Sequence, residues 1–380
     1  NQDPTRTRTF KTIAEFAHEK GMMVGIVTTV SLDHATPACF YAQSPSRGNY
    51  YEIAAQLPRS GFEYFGGGGF LQPRGKHKDQ ADIVQLAQAA GYTYVNDKAA
   101  FESLRPGCGK VLAVNQTLQD SCSMPYELDR LPDDLSLADY TRKGIELLSG
   151  NPKGFFMMVE GGKIDWACHA NDAASSIRDT LAFDRAVCQA VAFAGRHPKD
   201  TLIVVTGDHE TGGMTLGFAG TQYSTFFDKI APQTMSFQRF NDQVVAPYKK
   251  SAARNKARLE DLGTALKDGF GLDLAKLTPF QREQLEVAFR RTLGDETVRP
   301  VLEDPYLLYG GYEPLTIKVT QLVNQTAGIG WTSYAHTGVT VATFAKGVGQ
   351  ERFGGYYDNT DIFRKLAAVM HLQVPAAAVR

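Results

Sequence analysis

Residues 154–159 read GFFMMV, an unbroken apolar run, and the next ten residues read EGGKIDWACH. A run of this length and composition predicts a strand buried on both faces. Such a strand belongs in a parallel sheet covered by helices. It delivers an acid, Glu160, at its carboxyl end, where open α/β sheets gather ligand-binding groups. Gly161 and Gly162 permit a sharp turn and leave room beside that acid. Asp165 and His169 are four apart, so a helix there places both on one face. Carboxylate oxygen and imidazole nitrogen are zinc donors. A single D-x-x-x-H is also a common surface ion pair or cap, so a metal reading needs partners elsewhere in the chain.

The pattern of a buried run ending in polar groups recurs. Residues 12–20 have helical spacing, with Gly21 as the stop, and 22–29 then read as a buried strand, MMVGIVTT. That strand runs into VSLDHATP, where Thr36 suits an N-cap and Pro37 a first helical position. The helix should end near 42–46, before Arg47. Residues 201–205 form another continuous apolar run, ending in Thr206, Gly207, Asp208, His209 and Glu210. His336 lies in WTSYAHTG, just before a predicted strand over 339–345. Further helices are expected at 50–57, 81–90, 99–104, 135–148 and 361–370, the fourth opened by Asp133 or Asp134. A long amphipathic helix over 171–194 should bury Ile177, Leu181, Val187 and Val191. Strands are expected at 64–69, 92–95 and 111–114. Alternation of this kind predicts an α/β fold.

At 380 residues the chain can bury a large core, as one domain or two. A formal net charge of −1 gives no basic surface for nucleic acid or acidic lipid, and no apolar run is long enough to span a bilayer. The glycine run 66–69 is not a phosphate loop, because no Gly-Lys-Ser/Thr follows it, and 107–110 and 161–163 fail the same test. It reads as a tight loop under a sheet edge. Of five cysteines, Cys108 and Cys122 could pair in an oxidising compartment, while Cys39, Cys168 and Cys188 read as buried thiols. After residue 218 the alternation stops. Basic, alanine-rich helical sequence over 249–266 and a T-x-x-Q capping box at Thr278–Gln281 point to a mostly helical insertion. The expected organisation is a core of 1–221 and 331–380 interrupted by 222–330. The chain begins at Asn1 in a polar, charged stretch, with neither an initiator methionine nor a signal peptide, so loss of a segment upstream is expected.

Together these strand ends carry Thr36, Glu160, Asp165, His169, Asp208, His209 and His336, with Arg47 close to the first. As a set, HATPA, EGGKID-x-x-x-H, TGDHE and HTG resemble the alkaline phosphatase family, in the family's order and close to its spacing, over residues 9–217 and 331–370. The resemblance implies a three-layer sandwich, a central and mostly parallel sheet flanked by helices, with two Zn²⁺ and one Mg²⁺ at its carboxyl edge. By that likeness Asp165, His169 and His336 ligate the first zinc, Asp208 and His209 the second, and Glu160 and Thr36 the magnesium. Arg47 would grip two phosphate oxygens through its planar fork. Arg47 and His34 are assigned to catalysis, and both, with Trp166, to the substrate. Two zincs about 4 Å apart can hold the attacking and leaving oxygens of an in-line displacement.

The sequence departs from the family pattern in three places. The Asp-Ser-Ala segment that carries the nucleophile is absent, as is an aspartate shared by the second zinc and the magnesium; both would precede Asn1. His34 and Trp166 stand where some relatives carry Asp and Lys, which alters the shell of the third metal. The insertion, 222–330, is long; its place between Asp208-His209 and His336 sets both its ends near the metal edge, so a lid or an oligomer contact is expected, and a short linker in its place should keep zinc binding. The resemblance implies hydrolysis of phosphate monoesters at alkaline pH, through a phosphoserine or phosphothreonine whose hydroxyl lies upstream. Inorganic phosphate and small monoesters are the expected ligands, with no nucleic acid partner. The alternatives are a diesterase, sulfatase or mutase of the same superfamily, or a non-catalytic phosphate- or metal-binding homologue. A homodimer, a separate N-terminal fragment of the same protein as partner, and a periplasmic or secreted location are carried over from the family.

Overall fold

The computed structural model describes residues 1–374 apart from 4, 252–255, 296 and 298–304. Its centre is a sheet of β1 (Met23–Thr28), β2 (Tyr64–Gly67), β3 (Tyr92–Val95), β4 (Lys110–Val114) and β5 (Phe155–Glu160). All neighbours are parallel, in the order β3–β4–β2–β1–β5. Side chains alternate across the pleat. Val24, Ile26, Phe65, Leu112 and Val114 enter one core, and Val27, Tyr64, Val111 and Ala113 the other. The first face is covered by α1 (Ile13–Glu19), α2 (Ala35–Tyr41) and α3 (Ile83–Ala89). The second is covered by α4 (Leu137–Leu148) and α6 (Ala173–Arg196), with α5 (Lys163–His169) between β5 and α6. Ile26, Val27, Phe65 and Leu112 are fully buried, which stabilises the sandwich by about 1.5–3 kcal/mol per side chain.

Several local expectations are corrected. Ser136, not Asp133 or Asp134, caps α4 in a capping box with Asp139. Asp134 is engaged instead by the Thr117 hydroxyl and the Leu131 N–H. Thr36 is not an N-cap, because α2 begins one residue earlier and its cap position, His34, makes no side-chain cap bond. In α6 the buried stripe is small, with Ala174, Ala182 and Ala186, while Leu181 and Val191 are exposed. Small residues let α6 pack closely on α4 and α5. The glycine run lies at the exit of β2, in the middle of the sheet and not under an edge. A Cβ on Gly67 would sit 1.8 Å from the Thr28 carbonyl oxygen, so the two strand exits pass at a distance only glycine allows. All five cysteines are free, and Cys39 and Cys188 are exposed, not buried.

The chain continues with β6 (Leu202–Thr206), β7 (Glu210–Thr211) and β8 (Thr215–Leu216), and later β9 (Ile329–Gly330), β10 (His336–Thr337) and β11 (Thr343–Gly347). Antiparallel pairs form as β6–β11, β7–β10 and β8–β9. The strand expected at 339–345 therefore starts at Thr343, and His336 lies in a short strand of its own. Among the described residues, β5 pairs only with β1 and β6 only with β11, and the apolar residues of both are half-buried.

Between residues 222 and 328 the described elements are helical, and β9 closes the stretch by pairing with β8. The helices include α7 (Pro279–Thr292) and α8 (Pro314–Ala327), around a cluster with Phe240, Leu266, Phe270, Leu285 and Leu322. A second cluster joins Ala167 and Ala170 at α5 to Phe237, Ala288 and Ile317. Buried acids reinforce that contact. Asp172 accepts the Phe237 N–H and the Gln233 side-chain amide, and Asp129 accepts the Ser236 N–H. Of the predicted helical stretch 249–266, residues 252–255 lie outside the described residues; the remainder breaks into Ala246–Ser251, Leu259–Leu262 and the start of Gly263–Phe270. Among the described residues no helix is long and apolar enough to cross a membrane.

Candidate active site

β5 and α5 place the first group of donors. Glycine at 161 and 162 turns the chain after Glu160, and α5 then sets Asp165 and His169 one turn apart. Pairing of β10 with β7 brings His336 opposite Thr211 and onto the same spot. Asp165 Oδ1 is 3.4 Å from His169 Nε2 and 3.8 Å from His336 Nε2. One donor atom from each of the three lies within 4.8 Å of the others. Ligands about 2.0–2.1 Å from a tetrahedral zinc stand about 3.4 Å apart, so the oxygen and two nitrogens fit that ion. His169 Nδ1 donates to the Tyr334 carbonyl oxygen at 2.6 Å, which turns Nε2–H to Asp165 as the nitrogen that would give up its proton to an ion. Burial raises the Asp165 carboxyl, but hydrogen bonds from His169 and the Thr211 hydroxyl outweigh it and hold the group below its ordinary value. Asp165 therefore stays a carboxylate.

Asp208 and His209 leave β6 beside this group. The His209 and His336 rings stack with centroids 3.5 Å apart, and His209 Nε2 is 3.2 Å from Asp208 Oδ2. The pair thus lies against the first group, with Asp208 largely exposed.

Glu160 heads a third cluster. Thr28 is its register partner across β1 and β5, and the Thr28 hydroxyl donates to Glu160 Oε2 at 2.6 Å. The Thr36 hydroxyl, inside the first turn of α2, also bears on Glu160. Burial pushes the Glu160 carboxyl up to about 7, against both hydroxyls. A set of oxygens alone suits a hard cation such as Mg²⁺. Beside it His34 meets the Trp166 ring edge-on, centroids 5.5 Å apart, and its Nε2 lies 3.1 Å from Arg47 Nη2. Burial and the Arg47 charge hold the His34 imidazole down at about 4. It is neutral at working pH, and Nε2 accepts from the exposed guanidinium.

Three participants were missed from sequence. Thr28 carries no signal except its place at a strand exit. Thr211 lies one residue beyond the TGDHE motif, and its role depends on β7 reaching α5. Tyr334 contributes a backbone carbonyl, which no side-chain motif marks. Lys163 is a fourth surprise: it belongs to the EGGK turn yet is wholly buried, paired with Asp120.

The chain as a whole resembles known proteins. A sequence model described as "Alkaline phosphatase" matches residues 3–67, 63–265 and 314–372. Alkaline phosphatase 3 of Bacillus subtilis is 30% identical over 96% of this chain and 71% of its own length. The repressible alkaline phosphatase of Saccharomyces cerevisiae is 30% identical over 88% of this chain and 60% of its own. Among solved structures, a cold-active alkaline phosphatase from Shewanella superposes with a TM-score of 0.77 at 28% identity, over 97% of this chain and 80% of that one. The Thermus thermophilus enzyme superposes with a TM-score of 0.75 at 27% identity, over 95% and 73%. A TAB5 alkaline phosphatase variant, His 135 Glu, carries Mg in a site termed M3; its TM-score is 0.60 at 25% identity, over 95% and 76%.

Proposed function

Because the chain belongs to the alkaline phosphatase family, we propose that it hydrolyses phosphate monoesters at alkaline pH with two Zn²⁺ and one Mg²⁺. Family and fold make it a phosphatase; the metals and the mechanism are the proposal. The observation that carries it is the convergence of Asp165, His169 and His336 at the sheet edge, next to His209, with the Asp165 charge felt at His34, the partner of Arg47. Asp165, His169 and His336 would hold one zinc, Asp208 and His209 the other, and Glu160 with Thr36 the magnesium. Bound there, the metals supply Lewis acidity that lowers the pKa of a hydroxyl or water and neutralises the leaving oxygen.

The chain's own groups do the rest. Arg47 presents N–H donors to two phosphate oxygens, and neutral His34 holds one side of its fork. Tyr334 fixes the tautomer of His169. The Thr211 hydroxyl keeps Asp165 oriented and ionised. Thr28 and Thr36 turn Glu160. The attacking hydroxyl belongs to an upstream serine or threonine, and open strand edges support a place for it. Glu160, at the exit of β5, feels the charge of Asp208 just beyond β6. The apolar edges of these strands lack a second strand partner among the described residues. An exported homodimer is part of the same reading, on family membership alone.

The test joins the chain to whatever sequence precedes Asn1 in its gene. Release of phosphate from a simple aryl monoester is compared with cleavage of the diester and the sulfate ester, before and after chelation and zinc return. Monoester preference that vanishes with chelation is expected. Arg47→Ala should lower kcat/KM by on the order of 100-fold and weaken phosphate inhibition, with zinc content unchanged. Preference for the diester or sulfate, or turnover indifferent to chelation, rejects the reading.

A further inference from the structure

Lys163 opens α5, two residues before Asp165, and is fully buried. Its Nζ donates to Asp120 Oδ1 at 2.5 Å and to Ser123 Oγ at 2.8 Å. The ammonium also lies 3.7 Å from the centroid of the Tyr126 ring and 4.9 Å from that of Trp166. A charge is expensive to bury and persists only when paired and hydrogen-bonded. Among the described residues this ammonium pairs with Asp120 and Ser123 and not with the donors Asp165, His169 and His336.

A line of contacts leads from it to the phosphate-binding edge. The ammonium is drawn to the π-face of Trp166. The Trp166 ring meets His34 edge-on at a centroid distance of 5.5 Å and an angle of 72°. His34 Nε2 takes up one N–H of Arg47 at 3.1 Å. We propose that Lys163, held by Asp120, is a positioning residue for phosphate binding: it fixes the Trp166 ring, which fixes His34, which aims Arg47. A long exposed guanidinium on an irregular loop needs such support, because a group left free of its supporting shell loses its productive geometry. The proposal rests on the assignment of Arg47 to phosphate.

The chain has only two tryptophans, so Trp166→Phe identifies the emission of Trp166 by difference. The affinity of the zinc-loaded protein for inorganic phosphate is measured in Lys163→Met, Trp166→Phe, the double variant, Lys163→Arg and Arg47→Ala. Lys163→Met should weaken phosphate binding about fivefold to tenfold, and shift Trp166 emission, whereas in the Trp166→Phe background it should change affinity by less than about twofold. Lys163→Arg, which keeps the charge, should restore both readouts. An equal loss in the two backgrounds would mean that Lys163 acts through the general fold, and no loss at all would mean that it does not position Arg47; either result overturns the proposal. If Lys163→Met does not fold by circular dichroism, Asp120→Asn takes its place in the cycle with the same criteria. Unchanged phosphate affinity in Arg47→Ala would instead reject the phosphate reading itself, so the two failures are distinguishable.

Discussion

Asp33 precedes His34 at the mouth of β1 and is fully buried. Its Oδ2 accepts the Leu71 N–H at 2.9 Å. Burial pushes its carboxyl up to about 6, against the Ser31 hydroxyl and the Leu71 amide. An acid whose pKa is higher folded than unfolded takes up a proton on folding. Its effect on stability is nil below the unfolded value near 4, turns unfavourable as pH rises to about 6, and is constant above that. Asp33→Asn, which keeps an oxygen for Leu71, should therefore stabilise the protein by on the order of 2–3 kcal/mol at pH 8 and by about half that at pH 5. Urea unfolding midpoints at the two pH values measure this. A gain that is equal at both, or a loss at pH 8, would mean that the site is solvated on unfolding differently from this account. The sequence marked the residue next door, His34, through its place in HATPA. It gave no sign that Asp33 is the more deeply buried of the two, because burial of one strand-end acid depends on which loop covers it.

At the scale of elements, the exit of β2 is the tightest place in the sheet. Gly67 has φ +131°, and a Cβ there would meet the Thr28 carbonyl oxygen at 1.8 Å. The Thr28 side chain is in turn the donor to Glu160. Gly67→Ala should cost about 3 kcal/mol or more, through strain and overpacking together. It should also move β1 enough to weaken Mg²⁺ activation. Thermal unfolding and a Mg²⁺ titration read the two effects, and a variant with unchanged melting temperature would contradict the packing described. Strands β1, β3, β4 and β5 were legible within a residue or so, because a buried apolar run bounded by polar residues is a local signal. Helix caps were less so. At α4 the neighbouring acids Asp133 and Asp134 compete with Ser136 for the same role, and contacts with Thr117 and Leu131 decide among them.

For the molecule as a whole, the helical region between 222 and 330 is tied to the site helix as well as to itself. Ala167 and Ala170 pack on Phe237, Ala288 and Ile317, and Asp172 and Asp129 bond the backbone of Phe237 and Ser236. The sequence suggested a lid or oligomer contact that could be shortened with zinc binding intact. The packing changes that expectation. Replacing 222–330 by a Gly/Ser linker would bare an apolar face of α5 and strip Asp172 and Asp129 of their bonds to 233–237, leaving Ser175 and Gln119 as partners; each lost bond to a carboxylate costs about 1–3 kcal/mol. The shortened protein should lose thermal stability and bind zinc more weakly, whatever happens to substrate range. Zinc stoichiometry and sedimentation velocity test it. Full zinc occupancy with native stability would show that the region is a passive elaboration.

The sequence by itself determined the fold class and the kinds of donor at the sheet edge. Both follow from local patterns: apolar runs of strand length, helical spacing, and acids or histidines placed where strands end. Which donors share a site could be read from the sequence only through the family likeness; physically it is tertiary structure that decides it. His336 joins Asp165 and His169 only because β10 pairs with β7, and Thr28 faces Glu160 only because β1 and β5 are in that register. Lys163 reads from sequence as a turn residue, and becomes a buried cation only when Asp120, Tyr126 and Trp166 close around it. Register and enclosure are set by contacts between segments distant in the chain, and such contacts leave no mark on the residues flanking either partner.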